Sequence, residues 1–226
     1  MDSSASLLSF LQLVSPTLPV GAYTYSEGLE TLVQAEQIGD AKTLQTWLEQ
    51  ELRYGAIRLE AAVLARVYRA AAEDPVQPSS ISFWNQWLSA LRDSRELREQ
   101  SWQMGQSLSR LLQTLQPSRP WLNDCEEPVN FAVVFGLAAL GWQINLPTAV
   151  LGYLQSWAAN LVTAGVRLIP LGQTQGQQIL QGLQSQLIQT STQVLNLADR
   201  DLACCSWGVS MASMQHEALY SRLFRS

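Results

Sequence analysis

Apolar positions along this chain repeat at helical intervals. Leu44, Trp47, Leu48 and Leu52 fall at i, i+3, i+4 and i+8, and Leu59, Val63 and Val67 continue at four-residue steps. Trp84, Trp87, Leu88 and Leu91 repeat the pattern, as do Leu97, Met104, Leu108, Leu111 and Leu115, with Ser101 filling the stripe. A period near 3.6 residues puts such positions on one helix face. No run of alternating β-branched residues competes with it. The pattern therefore predicts an all-α fold, a single-domain multi-helix bundle of about ten helices spanning residues 1–226. Breaks fall at Gly39-Asp40, Asp74-Pro75 to Ser80, Gln116-Pro117 to Pro128, Leu146-Pro147 and Ile169-Pro170 to Gly172. Asp40 and Ser82 read as N-caps. Pro147 fits the first turn of the helix that follows it.

Two stretches depart from ordinary amphipathicity. Val129 to Leu140 is apolar nearly all round, and Arg167 is the only charged residue between Glu127 and Asp199. A helix with no polar face is normally buried on every side. A membrane hairpin is the weaker account, because Gln143, Asn145 and Pro147 interrupt the apolar run early and no basic flank orients it. Gln173 to Gln193 is glutamine-rich, yet Ile179, Leu180, Leu183, Leu187 and Val194 hold a helical stripe. Its uncharged polar face is cheap to desolvate. That face suits packing against another protein or a second copy, or simply water, and the residues leave these readings open.

Near the N-terminus, the apolar run Leu7 to Val14 gives way to Ser15-Pro16-Thr17-Leu18-Pro19-Val20-Gly21-Ala22-Tyr23-Thr24-Tyr25-Ser26-Glu27-Gly28-Leu29-Glu30. Two prolines and a glycine stop any helix there, and helical spacing resumes at Leu29, Leu32 and Val33. Glu27 and Glu30 lie three apart, on one helical face if the segment is helical. Solvated surface acids are the usual account of such a pair. Glu30, beside the tight loop, has two further roles open to it: accepting backbone amide hydrogen bonds, or pairing with an arginine.

Composition narrows the function classes. The chain has 226 residues, 47% of them hydrophobic, and a formal net charge of −5. Basic residues are scattered, with Lys42 the only lysine, so no clustered basic face exists to bind nucleic acid. Cys125, Cys204 and Cys205 do not form a disulfide framework, which points to a reducing compartment. Cys204-Cys205 could bind a soft metal or sense redox state, and the reading favoured over these is a pair of buried structural thiols. The segment Met1 to Ser6 has no basic n-region, so a secretory signal is not expected.

Catalytic signals are thin. His216 is the only histidine, so no two-histidine metal motif can form. It also lies near the chain terminus, a poor place to preorganise a base. Gly172-Gln173-Thr174-Gln175-Gly176 lacks the Gly-Lys-Ser/Thr of a phosphate loop and reads better as a helix start that needs tight backbone. The segment His216 to Ser226 carries an apolar patch, Leu219, Tyr220, Leu223 and Phe224, flanked by Arg222 and Arg225. Such anchors must be buried, either on the protein's own core or in a partner groove. A helical enzyme or a ligand-binding module with a buried apolar pocket stays a competing reading.

Four segments resemble one family. Leu18 to Glu30 looks like the N-terminal motif of the UreF urease accessory proteins. Arg95-Glu96-Leu97-Arg98, followed by Gln103-Met104-Gly105, is similar to its middle motif. Leu168 to Gln177 resembles its Pro-Leu-Gly-Gln-x-x-Gly-Gln signature, and His216 to Ser226 its tail. The resemblance implies a dimerising all-α protein of the cytoplasm that is not an enzyme. It implies a complex with UreD (also called UreH) and the GTPase UreG that delivers nickel to apo-urease. Nickel would be handled transiently by the complex, with no stably bound cofactor and no metal site in this chain. By the tail match, His216, Glu217, Tyr220, Arg222, Leu223 and Phe224 are assigned to partner assembly, and residues 212–226 to a docking tail that orders on binding UreD. Gly21, Tyr25, Ser26, Gly28 and Glu30 carry over from the first motif. Pro170, Gly172, Gln173 and Gln177 carry over from the third.

Overall fold

A computed structural model describes residues 4–73, 75–115 and 128–225. Among these residues there are eleven α-helices and no strand. The helices are α1 (Ser4–Leu13), α2 (Leu29–Gln34), α3 (Ala41–Tyr54), α4 (Ala56–Ala72), α5 (Pro78–Leu91), α6 (Arg95–Leu115), α7 (Phe131–Gly141), α8 (Leu146–Leu168), α9 (Gln173–Gly182), α10 (Gln184–Leu195) and α11 (Trp207–His216). The all-α expectation is thus met. Short 3-10 turns at Ala22–Thr24 and Asp199–Asp201 complete the described secondary structure.

Helix α4 is the axis of the bundle, packed against α3, α5, α7, α8 and α10. Its alanines, Ala61, Ala62 and Ala65, let neighbouring helices approach closely, and all three are fully buried. The uniformly apolar segment becomes α7, buried along almost its whole length between α4 and α6. No helix among the described residues is long and apolar enough to cross a membrane.

Local signals succeed unevenly. Asp40 caps α3 through a bond from the Thr43 amide at 2.7 Å, and Pro147 sits in the first turn of α8. Ser82 is not a cap: α5 begins four residues earlier at Pro78, whose fixed φ suits a first turn. The stripe from Leu44 to Val67 gives no sign of the break at Gly55 between α3 and α4. There the backbone is extended, and a Cβ would lie 2.6 Å from the Glu51 carbonyl oxygen. The glutamine-rich stripe forms two helices that part at Leu183. Most of its glutamines face solvent, but Gln186 is buried and accepts from Arg53 Nε at 2.7 Å. The expected break from Gln116, and Cys125 within it, lies outside the described residues.

Candidate functional site

The loop before α2 is built on two left-handed glycines. Gly21 (φ 77°) opens the 3-10 turn, and Gly28 (φ 81°) precedes α2. At Gly28 a Cβ would lie 3.0 Å from Ala212 Cβ and 3.1 Å from the Ser213 amide nitrogen, so only glycine lets the loop press against α11. Tyr25 is buried and donates its hydroxyl to Gln103 Oε1 at 2.6 Å, which ties the first motif to the middle one. Ser26 is also buried, and its hydroxyl accepts from the Glu30 amide at 3.4 Å.

That packing delivers Glu30 to the tail. The side chain is 3% exposed, and its oxygens accept from the Leu223 amide at 2.7 Å and the Phe224 amide at 3.0 Å. His216 Nε2 lies 3.0 Å from the same carboxylate, and the imidazole is 0% exposed. Its other nitrogen, Nδ1, faces Glu96 at 3.2 Å, and Glu96 pairs with Arg222 at 3.5 Å. Burial pushes the Glu96 carboxyl above its usual range, and His216 works against that shift. Backbone bonds finish the docking: the Arg225 amide donates to the Thr24 carbonyl at 2.8 Å. The Phe224 ring is buried, with the Arg167 guanidinium 4.8 Å from its centroid. A charged acceptor holding two backbone amides and an imidazole is a strong clamp, because each such bond exceeds a neutral one.

This geometry corrects two readings. Glu30 does accept backbone amides, but they belong to a segment nearly two hundred positions away, and its side-chain partner is a histidine, not an arginine. Glu27 does not share a helical face with Glu30. It lies outside the helix at φ 54° and turns to the opposite side of the loop. His216, placed by the sequence near a terminus, is among the most buried side chains of the molecule.

The expected site residues divide into two groups. Gly28, Glu30, His216, Arg222, Leu223 and Phe224 come together, supported by Tyr25 and Ser26. Within the tail, Phe224 faces inward, whereas Tyr220 is fully exposed, the Leu223 side chain is largely exposed and Glu217 faces solvent. Pro170, Gly172, Gln173 and Gln177 lie apart, at the α8–α9 turn, all exposed. Gly172 has an ordinary extended backbone (φ −77°). The tight approach falls at Gly176, where a Cβ would meet Val166 Cγ2 at 3.0 Å. Two contributors were missed. Glu96 sat in the middle motif without an assigned role. Arg167 had a signal of its own, as the single charge in a long uncharged stretch.

Behind the loop lies a cavity of about 300 Å³ lined from three of the four motif segments, through Tyr23 and Glu27, Met104, and Gln177, with Gln100 between the two parts of the middle one. Its deep end holds a buried ion pair, Arg92 with Glu60, and Tyr153 donates its hydroxyl to the same Glu60 carboxylate. Glu27 accepts from Gln100 Nε2 and Trp157 Nε1, each at 2.9 Å. Burial, then the nearby Glu60, push its carboxyl above the usual range. Glu51 lies beyond, pushed up to about 7 by burial and by Glu27. Among the described residues, no group of three or more histidine, cysteine, aspartate or glutamate side chains is placed to hold a metal ion.

The body is all-helical among the described residues, and its motif residues organise a clamped tail. The UreF family profile matches residues 38–184, and the chain belongs to that family. It is 56% identical over 220 residues to the urease accessory protein UreF of Nostoc sp., covering 97% of this chain and 95% of the relative. The UreF proteins of Microcystis aeruginosa and Synechocystis sp. are 54% and 51% identical, each match covering 100% of both chains. These relatives are named urease accessory proteins, not enzymes.

Proposed function

We propose that this protein is a scaffold in urease maturation, bridging UreD (or UreH) and the GTPase UreG and regulating GTP hydrolysis while nickel passes as the cargo of the complex. One observation carries the reading. Trp207, Met211 and Met214 stand exposed at i, i+4 and i+7 on α11, and exposed Tyr220 and Leu223 follow in the clamped tail. Five large apolar side chains around one docked terminus are more than scattered surface residues require. Trp and Tyr are favoured interface anchors, and Met adapts to a partner surface. In this reading the tail backbone is fixed by Glu30 so that Tyr220, Arg222 and Leu223 face UreD. Leu7, Leu8 and Leu11, exposed on the uncharged helix α1, favour a homodimer, and the same reading has the complex work in the cytoplasm.

The test is a pull-down of tagged full-length protein from cells coexpressing UreD and UreG. Met211→Asp and Leu223→Asp alter exposed positions and leave the clamp intact. Both variants are expected to stay folded by circular dichroism and to lose UreD, and UreG with it. Capture of both partners at parental levels by the folded variants would refute the bridging role.

A further inference from the structure

The cavity behind the first-motif loop has a chemistry that the clamp does not use. Among the described residues, three charged side chains line it: Glu27, Glu60 and Arg92. Arg92 and Glu60 neutralise each other, and Tyr153 adds a second donor to Glu60. That leaves one carboxylate of excess, Glu27. Its side chain keeps accessible surface, although burial dominates its electrostatics, because it borders the cavity. Its two bonds come from neutral N–H groups, which orient the carboxylate but do not cancel its charge. Four aromatic residues, Tyr23, Phe131, Tyr153 and Trp157, share the cavity wall with it, and the rest of the wall mixes aliphatic with neutral polar side chains.

A lone carboxylate among aromatic rings suits a particular kind of ion. Aromatic faces attract a cation through the ring quadrupole, most strongly where water is excluded, and such cages recognise alkylated ammonium groups. A compact divalent ion fits poorly. Both Glu27 oxygens already hold N–H donors, which leaves little of the carboxylate for direct coordination. The volume of about 300 Å³ lies at the low end for small-ligand sites. We propose that this cavity is a binding site for a small organic ammonium ion, its cationic head at Glu27 and its alkyl groups against Phe131, Tyr153 and Trp157. The rim includes Thr163, which is exposed on α8.

Choline is the probe, and its neutral carbon isostere 3,3-dimethylbutan-1-ol the control. Calorimetric titration of the full chain at pH 8 is expected to show one choline site, with no binding of the alcohol at concentrations that saturate choline. Glu27→Gln keeps the side-chain shape and removes the charge, and should weaken choline binding at least about tenfold. Thr163→Trp, a change at an exposed rim position, should block the cavity with Glu27 intact, so the test does not depend on one variant folding. No choline binding, equal binding of the alcohol, or binding that survives either substitution in a folded protein would overturn the proposal.

Discussion

Glu27 and Glu30 are the same residue type, three positions apart, on opposite sides of one glycine. Glu30 turns towards α11 and takes two backbone amides and an imidazole from the tail. Glu27 turns towards the cavity and takes an amide and an indole, with Glu60 close enough to raise its pKa. One carboxylate holds structure together, while the other carries unspent charge in a space that water or a ligand can fill. Gly28 makes the separation possible, since its positive φ and missing side chain let the chain reverse between them. Burial alone therefore does not decide what a carboxylate does. The source of its hydrogen bonds does.

Six substitutions break or sharpen this contrast. Glu30→Ala has the largest expected effect, about 3–5 kcal/mol of lost stability by chemical denaturation, because it strands His216 and two tail amides in a buried site. Hydrogen exchange at the Leu223 and Phe224 amides should accelerate with it. An unchanged exchange rate there would mean that the tail is held by something other than the clamp.

Glu51→Gln acts with the opposite sign. The Glu51 carboxyl titrates near 7 in the folded protein and near 4.5 as an ordinary glutamate. Between those pH values the folded state keeps a proton that the unfolded state has lost, so the parent weakens as pH rises and levels off above about 7. The glutamine variant lacks that loss. It should match the parent near pH 4 and exceed it by about 3 kcal/mol at pH 8. Glu27→Gln should follow the same direction, with a melting temperature at pH 8 no lower than the parent's, whereas Glu30→Gln should lower it. Parallel denaturation curves at pH 5 and pH 8 check all three.

Gly28→Ala should cost about 1–3 kcal/mol, through backbone strain at positive φ and crowding of α11. Its melting temperature should fall without any change in the pH dependence set by Glu51. Arg167→Ala should cost least, about 0.5–1 kcal/mol, by removing the cation over the Phe224 ring. Faster exchange confined to the tail would mark it.

The helices were legible because a 3.6-residue stripe reports burial directly, and α7 was legible because nothing polar interrupts it. Gly55 was not, since an extended residue between two in-phase stripes leaves the period intact. The clamp was only half legible. Resemblance placed Glu30 and His216 in separate motifs, but a bond across 186 positions leaves no local trace. The cavity was least legible: Glu27, Glu60, Arg92 and Tyr153 come from four different segments, and their meeting depends on tertiary packing alone.

A helix with no solvent face cannot wait in water. Helix α7 has no polar side chain to stabilise it alone, and its main partners are α4, about seventy positions earlier, and α6. Until those three meet, the chain displays its stickiest segment, so the step that assembles them is also the step at which aggregation competes with folding. Refolding yield should therefore depend steeply on protein concentration, and the helices that form the final molecule's quietest interior set the hazard of reaching it.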